Sequence, residues 1–157
     1  MMMKKLSIFM LILVGVMMMA CGNSNVKANE KSLGKGKTMK LTFITNPSTG
    51  FDWEYKFLEG DNYAKIVLDR EDYDIKSGDI ELVGAPTKRT YFFKAEKPGK
   101  QSLTFTYRRP WEGGEVSYDV VYELSVDKDL NISCLSKMKG VVETKKELST
   151  FPDPEFE

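Results

Sequence analysis

Apolar residues alternate with polar ones along most of this chain, and that period of two constrains its fold more than any other feature. The longest run sets Tyr118, Val120, Tyr122, Leu124 and Val126 against Ser117, Asp119, Val121, Glu123 and Ser125. Successive side chains on a strand point to opposite faces, so such a run gives one buried face and one wet face. Met39, Leu41 and Phe43 repeat the pattern, as do Trp53, Tyr55 and Phe57, then Tyr91, Phe93 and Ala95, then Leu103, Phe105 and Tyr107. Shorter strands are expected near Ala64 to Leu68 and Ile80 to Val83, with the acidic stretch from Asp69 to Asp79 as a long connection. No apolar stripe of helical spacing interrupts them. About seven short strands separated by turn residues predict an all-β domain, an antiparallel β-sandwich of two sheets.

The punctuation between runs refines this expectation. Lys97-Pro98-Gly99-Lys100 reads as a hairpin turn joining its two neighbours. After Lys128 the alternation fades. Leu130 to Leu135 can add one edge strand, and residues 131–157 otherwise read as a charged, mobile C-terminal extension ending in Pro152 and Pro154. Cys134 is expected to be a half-buried spectator whose free thiol can pair between chains.

The N-terminus belongs to export rather than to the fold. Lys4 and Lys5 precede an apolar run from Leu6 to Val16, then Met18-Met19-Ala20-Cys21. Residues 1–20 are expected to be a lipoprotein signal peptide, with Cys21 lipidated as the mature N-terminus. Residues 21–36 are small, polar and lysine-rich, a flexible tether. The folded domain then spans 37–130, exported and held at the outer face of a bacterial membrane by lipid alone.

Composition narrows the function. The chain has no histidine, which removes Ser-His-Asp and Cys-His catalysis and any imidazole-built zinc site. Neither a metal nor another cofactor is expected, and an enzyme is disfavoured. Without residues 1–20 the chain carries 21 basic and 23 acidic residues, and it has no basic block that would suit nucleic acid. With Cys21 lipidated, Cys134 has no partner in the chain, so the core must hold the domain without a disulfide.

Three turn clusters lie between the strands: Asn46-Pro47-Ser48-Thr49-Gly50-Phe51, Gly84-Ala85-Pro86-Thr87 and Arg109-Pro110-Trp111. Each alone is ordinary turn chemistry, since proline presets φ, glycine permits positive φ, and Asn or Ser bonds to nearby backbone. In this order and at these separations, over roughly residues 37–127, they resemble the loops of chagasin-type inhibitors of papain-family cysteine proteases. The first motif, followed by Asp52-Trp53, departs from that pattern only at Ser48 and Phe51. The third matches without change, and the second retains only Gly84 of several glycines.

The resemblance implies an immunoglobulin-like sandwich whose three loops sit side by side and enter a protease cleft as a wedge. The first loop would lie over the catalytic cysteine, the others against the walls, and the block would be reversible. The implied partner is a papain-family protease, the cell's own or a host's, bound by a monomer. The residue types suit this use. Ser48, Thr49 and Gly50 are small enough for a narrow cleft, and Pro47 stiffens the loop before binding. Trp111 offers a large apolar face, and Arg109 can pair with a carboxylate or stack on a ring. Trp53 is expected in the core, with Tyr107 and Arg108 holding the third loop and Gly113-Gly114 closing it. The alternative is a lipid-anchored surface module that binds a cell-wall glycan or a partner protein, using Trp111 and Tyr91 as exposed aromatics.

Overall fold

The computed structural model describes residues 32–74, 86–111, 113–142 and 147–157. Residues 1–31, with the expected signal sequence, Cys21 and most of the expected tether, lie outside them, as do Ile80 to Val83. The described residues form nine strands in chain order: β1 (Lys35–Gly36), β2 (Thr38–Thr45), β3 (Asp52–Phe57), β4 (Lys65–Asp74), β5 (Thr87–Lys97), β6 (Gly99–Arg108), β7 (Val116–Val126), β8 (Ile132–Lys139) and β9 (Glu155–Phe156). They form two antiparallel sheets, ordered β1-β8-β7-β6-β3 and β4-β5-β2-β9. The expected β-sandwich is present. It exceeds the expected strand number because β1 and β9 are two-residue strands, too short for any periodicity to reveal.

The alternation read in the sequence places the core. Met39, Leu41 and Phe43 from β2 and Tyr91 and Phe93 from β5 meet Trp53 from β3, Leu103 and Phe105 from β6, and Val120, Tyr122 and Leu124 from β7. Aromatic rings dominate this layer, with Phe105 making an edge contact to Tyr91 at 4.9 Å between centroids. The two fully buried tyrosines keep their hydroxyls bonded: Tyr91 donates to the Trp53 carbonyl at 3.0 Å and Tyr122 to the Pro152 carbonyl at 2.8 Å. A buried hydroxyl without a partner costs about 1–3 kcal/mol, so these bonds permit large aromatics in a dry core.

Five expectations are corrected. The tether does not run to residue 36: Lys35 and Gly36 form β1 against β8, and the Leu33 amide donates to the Cys134 carbonyl at 2.8 Å, pairings that two residues cannot signal by periodicity. Lys97-Pro98-Gly99-Lys100 is not a hairpin: β5 and β6 lie in different sheets, and Gly99, at φ 140°, turns the chain from one to the other. Turn chemistry is the same for both connections, and only sheet membership separates them. The stretch from Asp69 is not all connection, because β4 continues to Asp74 beside β5. The C-terminal extension is not a mobile tail after an edge strand. β8 sits between β1 and β7, Phe151 is buried against Tyr118 at 5.8 Å between centroids, and β9 pairs with Met39 and Lys40. Lys137 fastens this segment, donating to the Phe151 carbonyl at 2.8 Å and to Asp153 at 2.6 Å. One anchoring phenylalanine in a polar stretch carries no periodic signal, which is why the sequence hides it. Cys134, finally, is fully buried rather than half-buried, its Sγ 3.5 Å from the Ser136 carbonyl.

Candidate functional site

Strand register alone brings the first and third turn clusters, and Thr87 of the second, to one end of the sandwich. In one sheet Thr45, the last residue of β2, lies opposite Thr87, the first of β5. In the other, Asp52 at the start of β3 lies opposite Arg108 at the end of β6, which is opposite Val116 at the start of β7. The first cluster crosses from β2 to β3, from one sheet to the other. The third spans β6 to β7. Of the second, Pro86 is exposed and Thr87 opens β5, while Gly84 and Ala85 lie outside the described residues.

The first loop is a single 3-10 turn over Pro47–Thr49. Asn46 organises it: its side-chain oxygen accepts from the Ser48 amide at 3.2 Å and the Ser48 hydroxyl at 2.6 Å. The Asn46 carbonyl accepts from the Thr49 amide at 3.0 Å and the Thr49 hydroxyl at 2.7 Å. Such self-bonding is the reason Asn, Ser and Thr favour turns. Gly50 then takes φ 74°, a conformation that a side chain at this position would resist. Ser48 and Thr49 are exposed at the tip.

The third loop closes on itself. The Arg109 amide donates to the Glu115 carbonyl at 2.9 Å and the Gly114 amide to the Trp111 carbonyl at 2.8 Å. Gly113 has φ 69°, and a Cβ on Gly114 would run into the Arg109 carbonyl. Arg108 lies 3.7 Å from Glu54 and donates to the Arg109 carbonyl at 3.3 Å, so it holds the loop, as its strand-end position suggested. Pro110 is exposed, and Trp111 is 52% exposed.

The first and third loops touch. A Cβ built on Gly50 would sit 3.4 Å from Cη2 of Trp111, so the indole lies across the glycine. The Arg109 guanidinium stands 4.9 Å from the Phe51 ring centroid and 5.6 Å from that of Trp111. Phe51 in turn stacks on Tyr107 at 5.4 Å, and Tyr107 on Tyr118 at 5.0 Å. A column of rings and one cation thus runs from the exposed Trp111 into the sandwich.

Beneath the loops lies an ion network that the sequence reading missed. Arg89 donates to Asp52 at 2.6 Å and to the Trp53 carbonyl at 3.2 Å, and its Nε pairs with Glu71. It joins β4 and β5 to the base of β3, across the two sheets. Burial works against the Arg89 charge, but the Glu71 and Asp52 carboxylates outweigh it and hold the guanidinium protonated above its usual range. Burial and a hydrogen bond to Glu71 push the Tyr73 phenol up to about 12. One signal was available: Arg89 shares the inward parity of Tyr91 and Phe93, where a charge requires a partner. Asp52 also accepts from the Trp53 amide at 2.8 Å, and the Trp53 indole donates to the Ile44 carbonyl at 3.0 Å. Trp53 is therefore core, as expected. Tyr91 is fully buried and offers no surface to a glycan, which corrects its place in the alternative reading.

A cleft of about 600 Å³ opens beside the first loop, lined by Asn46, Trp53, Tyr107, Tyr118 and Phe151 among others. Among the described residues no group of His, Cys, Asp or Glu is arranged to hold a metal ion.

Residues 32–126 match the family model of the chagasin-family peptidase inhibitors. Among solved structures, the chain is similar to a cysteine protease inhibitor from Entamoeba histolytica, with 26% identity over 59% of this chain and 80% of that one, and a TM-score of 0.47. No curated protein matches it.

Proposed function

The chain belongs to the chagasin family of peptidase inhibitors, and from that premise we propose that it reversibly occludes the active-site cleft of papain-like cysteine proteases. The observation that carries this reading is the convergence of the first and third turn clusters, 58 residues apart from Phe51 to Arg109, and of Thr87 from the second, on one end of the sandwich through the registers Thr45↔Thr87, Asp52↔Arg108 and Arg108↔Val116. Small side chains at Ser48, Thr49 and Gly50 form the part that enters deepest, over the catalytic cysteine. Trp111 lies against the cleft wall on one side, and the loop containing Gly84, Ala85, Pro86 and Thr87 against the other.

The mechanism needs no bond-making step. The first loop satisfies its own backbone through Asn46 and Thr49, so little conformational freedom remains to be lost on binding. A self-bonded turn also resists being drawn into the extended geometry of a substrate, which favours occlusion over cleavage. The proposed setting is the outer surface of a bacterial membrane, with lipid on Cys21 and the stretch between it and the docked Leu33–Gly36 segment as the tether, and the inhibitor acts as a monomer.

The test is a titration of the lipid-free chain, starting at Gly22, against papain and a cathepsin L-type protease. Stoichiometric, reversible loss of activity with the inhibitor intact is the expected result. No inhibition at micromolar concentration would overturn the reading and leave the loops as a general binding surface.

A further inference from the structure

The aromatic column at the loop end assigns Arg109 a role that its place in a binding motif does not suggest. Its guanidinium lies within cation–π distance of two rings from two different loops, 4.9 Å from the Phe51 centroid and 5.6 Å from the Trp111 centroid. Its Nε is buried without any hydrogen-bond acceptor. Among the described residues it forms no ion pair. A side chain meant to meet a carboxylate on a partner would present its planar fork of N–H donors to solvent. Here the Nε–H is already enclosed, and the guanidinium carbon lies over both the Phe51 and the Trp111 rings.

We infer that Arg109 is a positioning residue: it pins the third loop to the first, holding the Trp111 indole across Gly50, and serves inhibition through that indole rather than by pairing with the protease. The column supplies the rigidity. Phe51 is stacked on Tyr107, Tyr107 on Tyr118, and Tyr118 packs on the buried Phe151 at 5.8 Å. Arg109 is the link between that anchored stack and the exposed indole. Two loops fixed to each other before association lose less entropy on binding than two loops that order separately. The inference rests on the inhibitor reading for its consequence, but the geometry it concerns belongs to the free protein.

The test therefore begins without a protease. Trp53 is 5% exposed and Trp111 is 52% exposed, so acrylamide quenching of tryptophan fluorescence reports mainly on Trp111. In Arg109→Ala the quenching constant is expected to rise about twofold with Tm little changed, because the indole leaves Gly50. Unchanged quenching would overturn the inference. Inhibition supplies the second readout. Arg109→Ala and Phe51→Ala should each raise Ki about tenfold, and the double variant by little more than either alone, since both break one link. Losses that multiply in the double variant would overturn the inference. So would full rescue by Arg109→Lys, which keeps the charge but not the planar face. If the unaltered protein inhibits no papain-like protease, the inhibitor reading fails, while the quenching result still decides whether Arg109 positions Trp111.

Discussion

Truncation of Trp111 to alanine tests the proposed interface most directly, and the structure sets its size. A free tryptophan presents roughly 250 Å², and Trp111 retains 52% of its exposure because Gly50 and Arg109 cover the rest. About 130 Å² is then left for a partner, worth about 3 kcal/mol at about 25 cal/mol per Å². Imperfect burial against the protease lowers this, so Trp111→Ala should raise Ki between about tenfold and a hundredfold. The cost to the fold should be small, because the indole sits on the surface of the loops and not among the core rings. The assay is competitive titration against papain, with thermal melting as the control. The change should appear mainly as faster dissociation, as is usual when an interface loses a contact. A Ki within threefold of the unaltered protein, with Tm preserved, would refute the argument and remove Trp111 from the interface.

Further outcomes follow from the same geometry. Thr49→Trp should weaken inhibition at least tenfold by overfilling the tip of the first loop, and equal potency would mean that this loop does not face the catalytic centre. Arg89→Met should lower unfolding stability in urea by about 2–3 kcal/mol, since it leaves Asp52 and Glu71 as partly buried carboxylates without their partner. Phe151→Ala should cost about 3 kcal/mol, and removal of residues 137–157 should unfold the domain rather than spare it, as melting would report. Burial raises the Cys134 thiol to about 11, so it should stay unreactive toward a thiol reagent at pH 8 in the native protein. Because that folded value lies above the ordinary 9.0 of a thiol, its contribution to stability is complete below pH 9 and declines as pH rises toward 11. Cys134→Ser should flatten that decline in a denaturation series across the same range.

The sequence by itself determined which residues face the core, because period-two alternation is a local property of the strand and needs no knowledge of its neighbours. It also marked the three turn clusters, since Pro, Gly and Asn impose their φ and bonding preferences within a few residues. Tertiary structure decided everything that depends on who lies next to whom. Gly99 carries the chain between sheets where the same residues elsewhere would close a hairpin. Arg89 is legible as a misplaced charge, but its partners Asp52 and Glu71 come from strands that only folding brings beside it. Phe151 and the two-residue β9 cover the core from a stretch with no pattern at all. In the sequence Arg109 can serve a carboxylate or a ring, and the fold places its guanidinium over two rings of its own chain. The physical reason is range: backbone preference and alternation act over a few residues, whereas sheet order, ion pairing and ring stacking act across dozens, through contacts that exist only once the two sheets have closed.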